Sequence, residues 1–205
     1  MHSVRYVRIL RENGDTAFGG SQMWIEDLVM QGAACGIVAG LDRVLETAGI
    51  ENISMEDYMT KLAEAGKYIK PIMLPFKIKP IHTKIGDFMG CLGVSAGRLK
   101  RGIRKLGQLY GVDIRLKRIR FSKADEILSE GRKVILLIKA PLGNVSVIPD
   151  KGLPTNIGFH WVTAYAQDER SYKVQSWGWE LEILRSDLKN TAVFVVAYEP
   201  VIGVF

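Results

Sequence analysis

With 205 residues, 47% of them apolar, the chain can bury a substantial core, and this excludes an intrinsically disordered protein. A formal charge of +6 and a pI near 9.3 give it a basic surface suited to anionic partners. No stretch approaches the roughly 20 apolar residues of a membrane span, and the opening MHSVRYVRIL has no uninterrupted apolar h-region. Two cysteines, Cys35 and Cys91, are too few for a disulfide framework, so a soluble, cytoplasmic protein with two thiols is expected. The histidines at 2, 82 and 160 belong to no Cys-x-x-Cys or His-x-x-x-His pattern, and no metal or cofactor is expected.

No internal repeat or linker divides the sequence, which predicts one domain over residues 1–205, helical over about 20–110 and β-rich over about 111–205. The first predicted helix runs from Cys35 to Thr47, with Ile37, Leu41, Val44, Leu45 and Ala48 on its buried face. Ser54, with Asp57 three residues on, reads as the cap of a second helix that Gly66 closes. Pro71, Pro75 and Pro80 then break the chain into extended pieces. A third helix spans Ser95 to Tyr110, with Leu99, Ile103, Leu106 and Tyr110 at helical spacing and a basic opposite face. Strands follow at Ile114 to Phe121, Val134 to Ala140, Trp161 to Tyr165, Tyr172 to Trp177 and Thr191 to Tyr198, with a short helix capped by Ser122 after the first. Helices first and a sheet later predict an α+β fold.

Two stretches carry the chemistry. In GGSQMWIEDLVMQGAACGIVAGLDRVL, Cys35 follows Gly32, Ala33 and Ala34 and opens an apolar helix, where unpaired N–H groups and the helix dipole favour a thiolate. A lone cysteine at such a place is more often a small core residue. The second stretch, GFHWVTAYAQDERSYKVQSWGWELEI, shifts that balance. It places His160 at the head of a strand, with a hairpin turn at Asp168 to Ser171 that returns Gln175 and Ser176 toward the imidazole. A cysteine–histidine pair needs such a third group to fix the ring's tautomer.

The order Gln, Cys-Gly opening a helix, His, and Ser-Trp-Gly resembles the papain-like cysteine peptidases, in particular the bacterial bacteriocin-leader-processing peptidases and their peptidase-like relatives. The resemblance runs from about Gly19 to Tyr198. It implies an α+β papain-like fold whose helical part packs on a C-terminal antiparallel sheet. It places the nucleophile at Cys35, the general base at His160 and the oxyanion-stabilising glutamine at Gln22, preceded by Gly19-Gly20 and followed by Trp24, with Gln31 as the competing glutamine. Aligning Ser176-Trp177-Gly178 with the family's Ser-Trp-Gly puts Gln175, one methylene longer than asparagine, at the orienting position. Trp24, Trp177 and Ser176 then fall in binding positions.

The implied activity is cysteine-dependent cleavage of a peptide or small amide through an acyl-enzyme, without a cofactor. A related acyltransferase, or a weakly active or inactive protein of this fold that binds peptide or an anionic partner, would carry the same residues. Elsewhere, Cys91 lies among small residues and reads as a packed thiol, His82 as a surface loop residue and His2 as terminal. Gly86, Gly90, Gly93 and Gly97 form no nucleotide loop. The basic segment from Arg98 to Arg120 carries one acid, Asp113, and without a nucleic-acid motif it reads as a solvated face.

Overall fold

The computed structural model describes residues 6–73, 81–83, 86–88, 93–138, 147–148 and 160–200. The expectations for His2, Pro75, Pro80 and Cys91, and for the His82 side chain, fall outside these residues. The chain opens with two three-residue strands, β1 (Arg8–Leu10) and β2 (Thr16–Phe18), followed by a single 3-10 turn at Gln22–Trp24 and a one-turn helix α1 (Leu28–Gln31). Helix α2 (Cys35–Thr47) comes next, then β3 (Asn52–Ser54), which pairs parallel to β1 and completes a small sheet of order β2-β1-β3. The helical first half therefore carries a sheet of its own.

Helix α2 begins at Cys35 as expected, but every residue from Cys35 to Leu45 is buried, not one face alone. A helix buried on every side lies in the middle of a core, and α2 is flanked by helix α3 (Met55–Tyr68) and, beyond the hairpin β4 (Ile81–Thr83) and β5 (Gly86–Phe88), by helix α4 (Ala96–Leu109). The Ser54 hydroxyl accepts the Asp57 N–H at 3.0 Å and starts α3. Gly66 does not end it. The Ile69 N–H still reaches the Ala65 carbonyl at 2.8 Å, and Ile69 is fully buried, so tertiary packing carries the helix past the glycine.

Ser95 caps α4, whose Leu99, Ile103 and Leu106 are buried while Arg101, Arg104 and Lys105 face solvent. Arg98 turns back to donate to the Pro71 carbonyl at 2.6 Å, tying α4 to the chain that leaves α3.

The second half is built on strands β6 (Ile114–Ile119), β7 (Val134–Ile138), β8 (Val147–Ile148), β9 (His160–Gln167), β10 (Ser171–Ser176), β11 (Trp179–Leu184) and β12 (Ala192–Pro200). Helices α5 (Ala124–Ser129) and α6 (Arg185–Thr191) interrupt them. Ser122 is not the cap of α5. It lies inside a 3-10 turn, Phe121–Lys123, and the helix starts after Lys123 with no side-chain cap. The seven strands form one sheet of order β6-β12-β7-β9-β10-β11-β8 in which every neighbour is antiparallel.

Strand alternation sorts the core to the two faces of this sheet. Ile135, Leu137 and Trp161 join the α2 side, whereas Val134, Leu136, Ile138, Val162 and Ala164 pack with α5. Among the described residues no helix is long and apolar enough to cross a membrane.

Candidate active site

The nucleophile candidate is set by how closely α2 approaches β9. A Cβ built on Gly36 would lie 2.8 Å from the Val94 Cβ and 3.0 Å from the Trp161 Cδ1, so only glycine fits there. The Trp161 indole N–H donates to the Val94 carbonyl at 2.8 Å and fixes that wall. Cys35, one residue before this contact and 7% exposed, thereby lines the same cleft as His160 at the head of β9.

His160 is 6% exposed, and its Nε2 lies 2.6 Å from the Ser176 Oγ. Register explains why the partner is Ser176 and not Gln175. Gln175 pairs with Thr163, so these two share a face; His160, three residues before Thr163, and Ser176, one after Gln175, both fall on the other.

The ring of Trp177 stacks on the imidazole, with centroids 4.4 Å apart and planes 16° from parallel. A two-residue turn aims it there: Ser176 pairs with Trp179, and Trp177 and Gly178 have φ of 52° and 79°, the type I′ geometry of a tight hairpin. Trp177 is the one non-glycine residue with positive φ among the described residues, and a bulky residue held there is strained. Enclosure under this ring removes the imidazole from water, and burial pushes the His160 pKa down to about 3. The imidazole is neutral at ordinary pH.

Of the two glutamines that compete for the oxyanion role, Gln22 lines the cleft beside Cys35, and its Oε1 is buried without a hydrogen-bond partner. Gln31 instead donates from Nε2 to the Met23 and Ile25 carbonyls at 3.2 and 3.1 Å, bracing the 3-10 segment from outside. Gln175 also lines the cleft, but neither atom of its amide has a hydrogen-bond partner, so it makes no bond to His160. Trp24 stands behind this layer, edge-on to Tyr58 with centroids 5.9 Å apart and under the Arg11 guanidinium. The cleft encloses a volume of about 10 Å³, room for one water.

Thr163 and Asp42 also line the cleft, and neither was singled out by the sequence. The signal for Asp42 was present, since it is the one carboxylate in the apolar run CGIVAGLDRVL and falls two turns after Cys35 on the same face of α2. Its Oδ2 accepts the Gly20 N–H at 3.0 Å and its Oδ1 accepts the Tyr58 hydroxyl at 2.7 Å. Burial pushes the Asp42 carboxyl up to about 7 against these two bonds, which act to lower it. Among the described residues no three His, Cys, Asp or Glu side chains come together to hold a metal ion.

No family model and no curated protein sequence matches the chain. Among solved structures it is similar to a protein described as a C39-like peptidase from Bacillus anthracis, at 15% identity and a TM-score of 0.51, covering 81% of this chain and 88% of that one. It is also similar to the peptidase domain of Streptococcus ComA, a bifunctional ABC transporter involved in a quorum sensing pathway, at 15% identity and a TM-score of 0.45, covering 82% and 93%. The chain has the α+β papain-like fold, with Cys35 opening its buried helix and His160 heading a strand of its antiparallel sheet.

Proposed function

We propose that the protein is a cysteine-dependent peptidase or amidase in which Cys35 attacks an amide carbonyl and His160 is the general base. The observation that carries this reading is the bond between the His160 Nε2 and the Ser176 Oγ. With Nε2–H donating to Ser176, the lone pair of the neutral imidazole stays on Nδ1, available to a cleft that Cys35 also lines. Nδ1 takes the Cys35 proton as sulfur bonds to the carbonyl carbon. The oxyanion that forms accepts from the Gln22 amide and the Cys35 backbone N–H.

The imidazolium then returns its proton to the leaving amine, and water cleaves the thioester by the reverse path. A low His160 pKa in the closed cleft favours thiol and neutral imidazole over an ion pair at rest. Substrate must therefore part the walls around Trp177 and Gln22 before the proton moves. A peptide substrate is favoured by the likeness to the C39-like peptidase.

Alkylation by iodoacetamide at neutral pH, followed by peptide mapping, tests the pair. Cys35, a buried thiol at rest, is expected to react slowly in the wild type and more slowly still in His160→Ala, which lacks the proton acceptor. Equal rates in the two proteins would overturn the assignment.

A further inference from the structure

We propose that Asp42 is a positioning residue whose buried carboxylate locks three segments of the site, those carrying Cys35, Gln22 and Trp177, into one rigid unit. The inference rests on the reading of Cys35 as nucleophile and deepens it. Asp42 is 4% exposed and lies on α2, two helical turns after Cys35, so it moves with the nucleophile helix.

Its Oδ2 holds the Gly20 N–H at 3.0 Å, two residues before Gln22. The Gly20 carbonyl in turn accepts the Gly178 N–H at 3.0 Å, and the Gly178 carbonyl accepts the Phe18 N–H at 3.0 Å. Gly178 is the second residue of the turn that lays Trp177 over His160. The chain of bonds therefore runs from the nucleophile helix through Gly20 to the residue covering the base.

Close packing leaves this arrangement no slack. A Cβ on Gly20 would sit 1.8 Å from the Tyr58 Oη, and one on Gly19 would sit 1.7 Å from the Gln175 Nε2 and 2.6 Å from the Asp42 Oδ2. Both glycines are required so that Tyr58 and Gln175 can enclose the carboxylate. A buried carboxylate is costly, and it is held here by donors from two different segments, α3 and the Gly20 backbone.

Both donors need an acceptor; the ionised carboxylate accepts strongly on each oxygen, whereas the O–H oxygen of the protonated form is a much weaker acceptor. Protonation leaves one donor facing an O–H, which loosens Gly20 and the segment leading to Gln22. The groups that set this titration are Tyr58 from α3, the Gly20 amide, Glu46 one turn further along α2, and Lys133 just before β7, with the uncharged Gln175 amide alongside. Glu46 favours the proton, whereas Tyr58, Gly20 and Lys133 oppose it.

The test uses acylation of Cys35 by p-nitrophenyl acetate, which passes through an oxyanion and needs no knowledge of the natural substrate, followed from pH 5 to 9. Asp42→Asn keeps the shape but offers one acceptor in place of two. It is expected to lower the acylation rate about 10- to 100-fold, the cost of a misplaced reacting group, and to remove the component of the pH profile near 7. Tyr58→Phe removes a bond that holds the carboxyl down and is expected to move that component to higher pH.

A purely structural role would lower the melting temperature of both variants and leave the pH profile of the folded fraction unmoved, which would overturn the inference. Should Asp42→Asn not fold, an unmoved profile in Tyr58→Phe is enough to overturn it. Wild-type acylation no faster than that of Cys35→Ala would sink the nucleophile reading itself, and the inference with it.

Discussion

Ser176 and His160 are sixteen residues apart in the chain, and the Ser176 Oγ lies 2.6 Å from the His160 Nε2. A serine in this place holds the ring without adding charge, unlike a carboxylate, so the imidazole remains neutral under its tryptophan cover. Ser176→Ala removes this hydrogen bond and frees the ring to rotate. The rate of Cys35 acylation is expected to fall about 10- to 100-fold with the fold intact, and a rate within twofold of wild type would assign Ser176 a packing role only.

Trp177 covers His160 from a backbone conformation that suits asparagine far better than tryptophan. Trp177→Asn creates the Asn-Gly pair that a type I′ turn favours and removes the stacked ring. Relief of strain contributes about 1 to 3 kcal/mol, offset by the lost contact, while the imidazole regains water. NMR titration of the His160 Cε1 proton should show its pKa rising from about 3 toward the ordinary 6.5. A pKa that stays near 3 would mean that burial by other residues, not Trp177, suppresses the charge.

Gly36 sets the distance between α2 and β9. Gly36→Ala introduces a methyl 2.8 Å from the Val94 Cβ and 3.0 Å from the Trp161 Cδ1. Overpacking of this kind costs about 1 to 3 kcal/mol, and it pushes Cys35 away from the head of β9. Chemical denaturation and iodoacetamide kinetics on the same sample should both report the change; loss of stability with unchanged Cys35 reactivity would separate the helix contact from the site.

Two buried groups titrate in opposite senses. His160 has its folded pKa lowered to about 3, so from 6.5 downward the unfolded chain takes a proton the folded one refuses, and stability falls as pH falls through that window. Asp42 has its folded pKa raised to about 7. Between that value and 3.8 the folded chain takes the proton, and stability rises as pH falls. The slopes, about 1.4 kcal/mol per pH unit each, oppose one another between about pH 4 and 6.5. Urea unfolding should show Asp42→Asn losing stability more steeply in acid than wild type, and His160→Gln gaining it. Parallel curves for all three proteins would mean that neither group is buried as described.

Much of this arrangement was legible in the sequence because its signals are local and strong. The helix at Cys35, the cap Ser54 and the hairpin turn near Asp168 each follow from periodicity or turn chemistry within a few residues. Strands β1, β2 and β3 did not, since three residues are too few for alternation to register. Gly66 and Ser122 misled for a related reason: a local stop or cap signal yields when buried neighbours such as Ile69 carry the helix on, or when a 3-10 turn absorbs the capping residue.

At the site, Cys35 and His160 could be paired by order along the chain. The choice of Ser176 over Gln175 required the register of β9 against β10, and Trp177 in a glycine-like conformation leaves no mark in composition. Asp42 was visible as the one carboxylate in the run from Cys35 to Leu45, yet its meaning depends on Gly20 and Tyr58, which only the fold brings to it.

The central claim, that His160 activates Cys35 for attack on an acyl carbon, is tested most directly by intact-mass analysis after brief exposure to p-nitrophenyl acetate at neutral pH. The expected result is a single acetyl group that maps to Cys35 in the wild type, forms far more slowly in His160→Ala and is absent from Cys35→Ala. Acetylation at the same rate with and without the His160 imidazole, or acetyl groups spread over lysines with Cys35 unmodified, would contradict it.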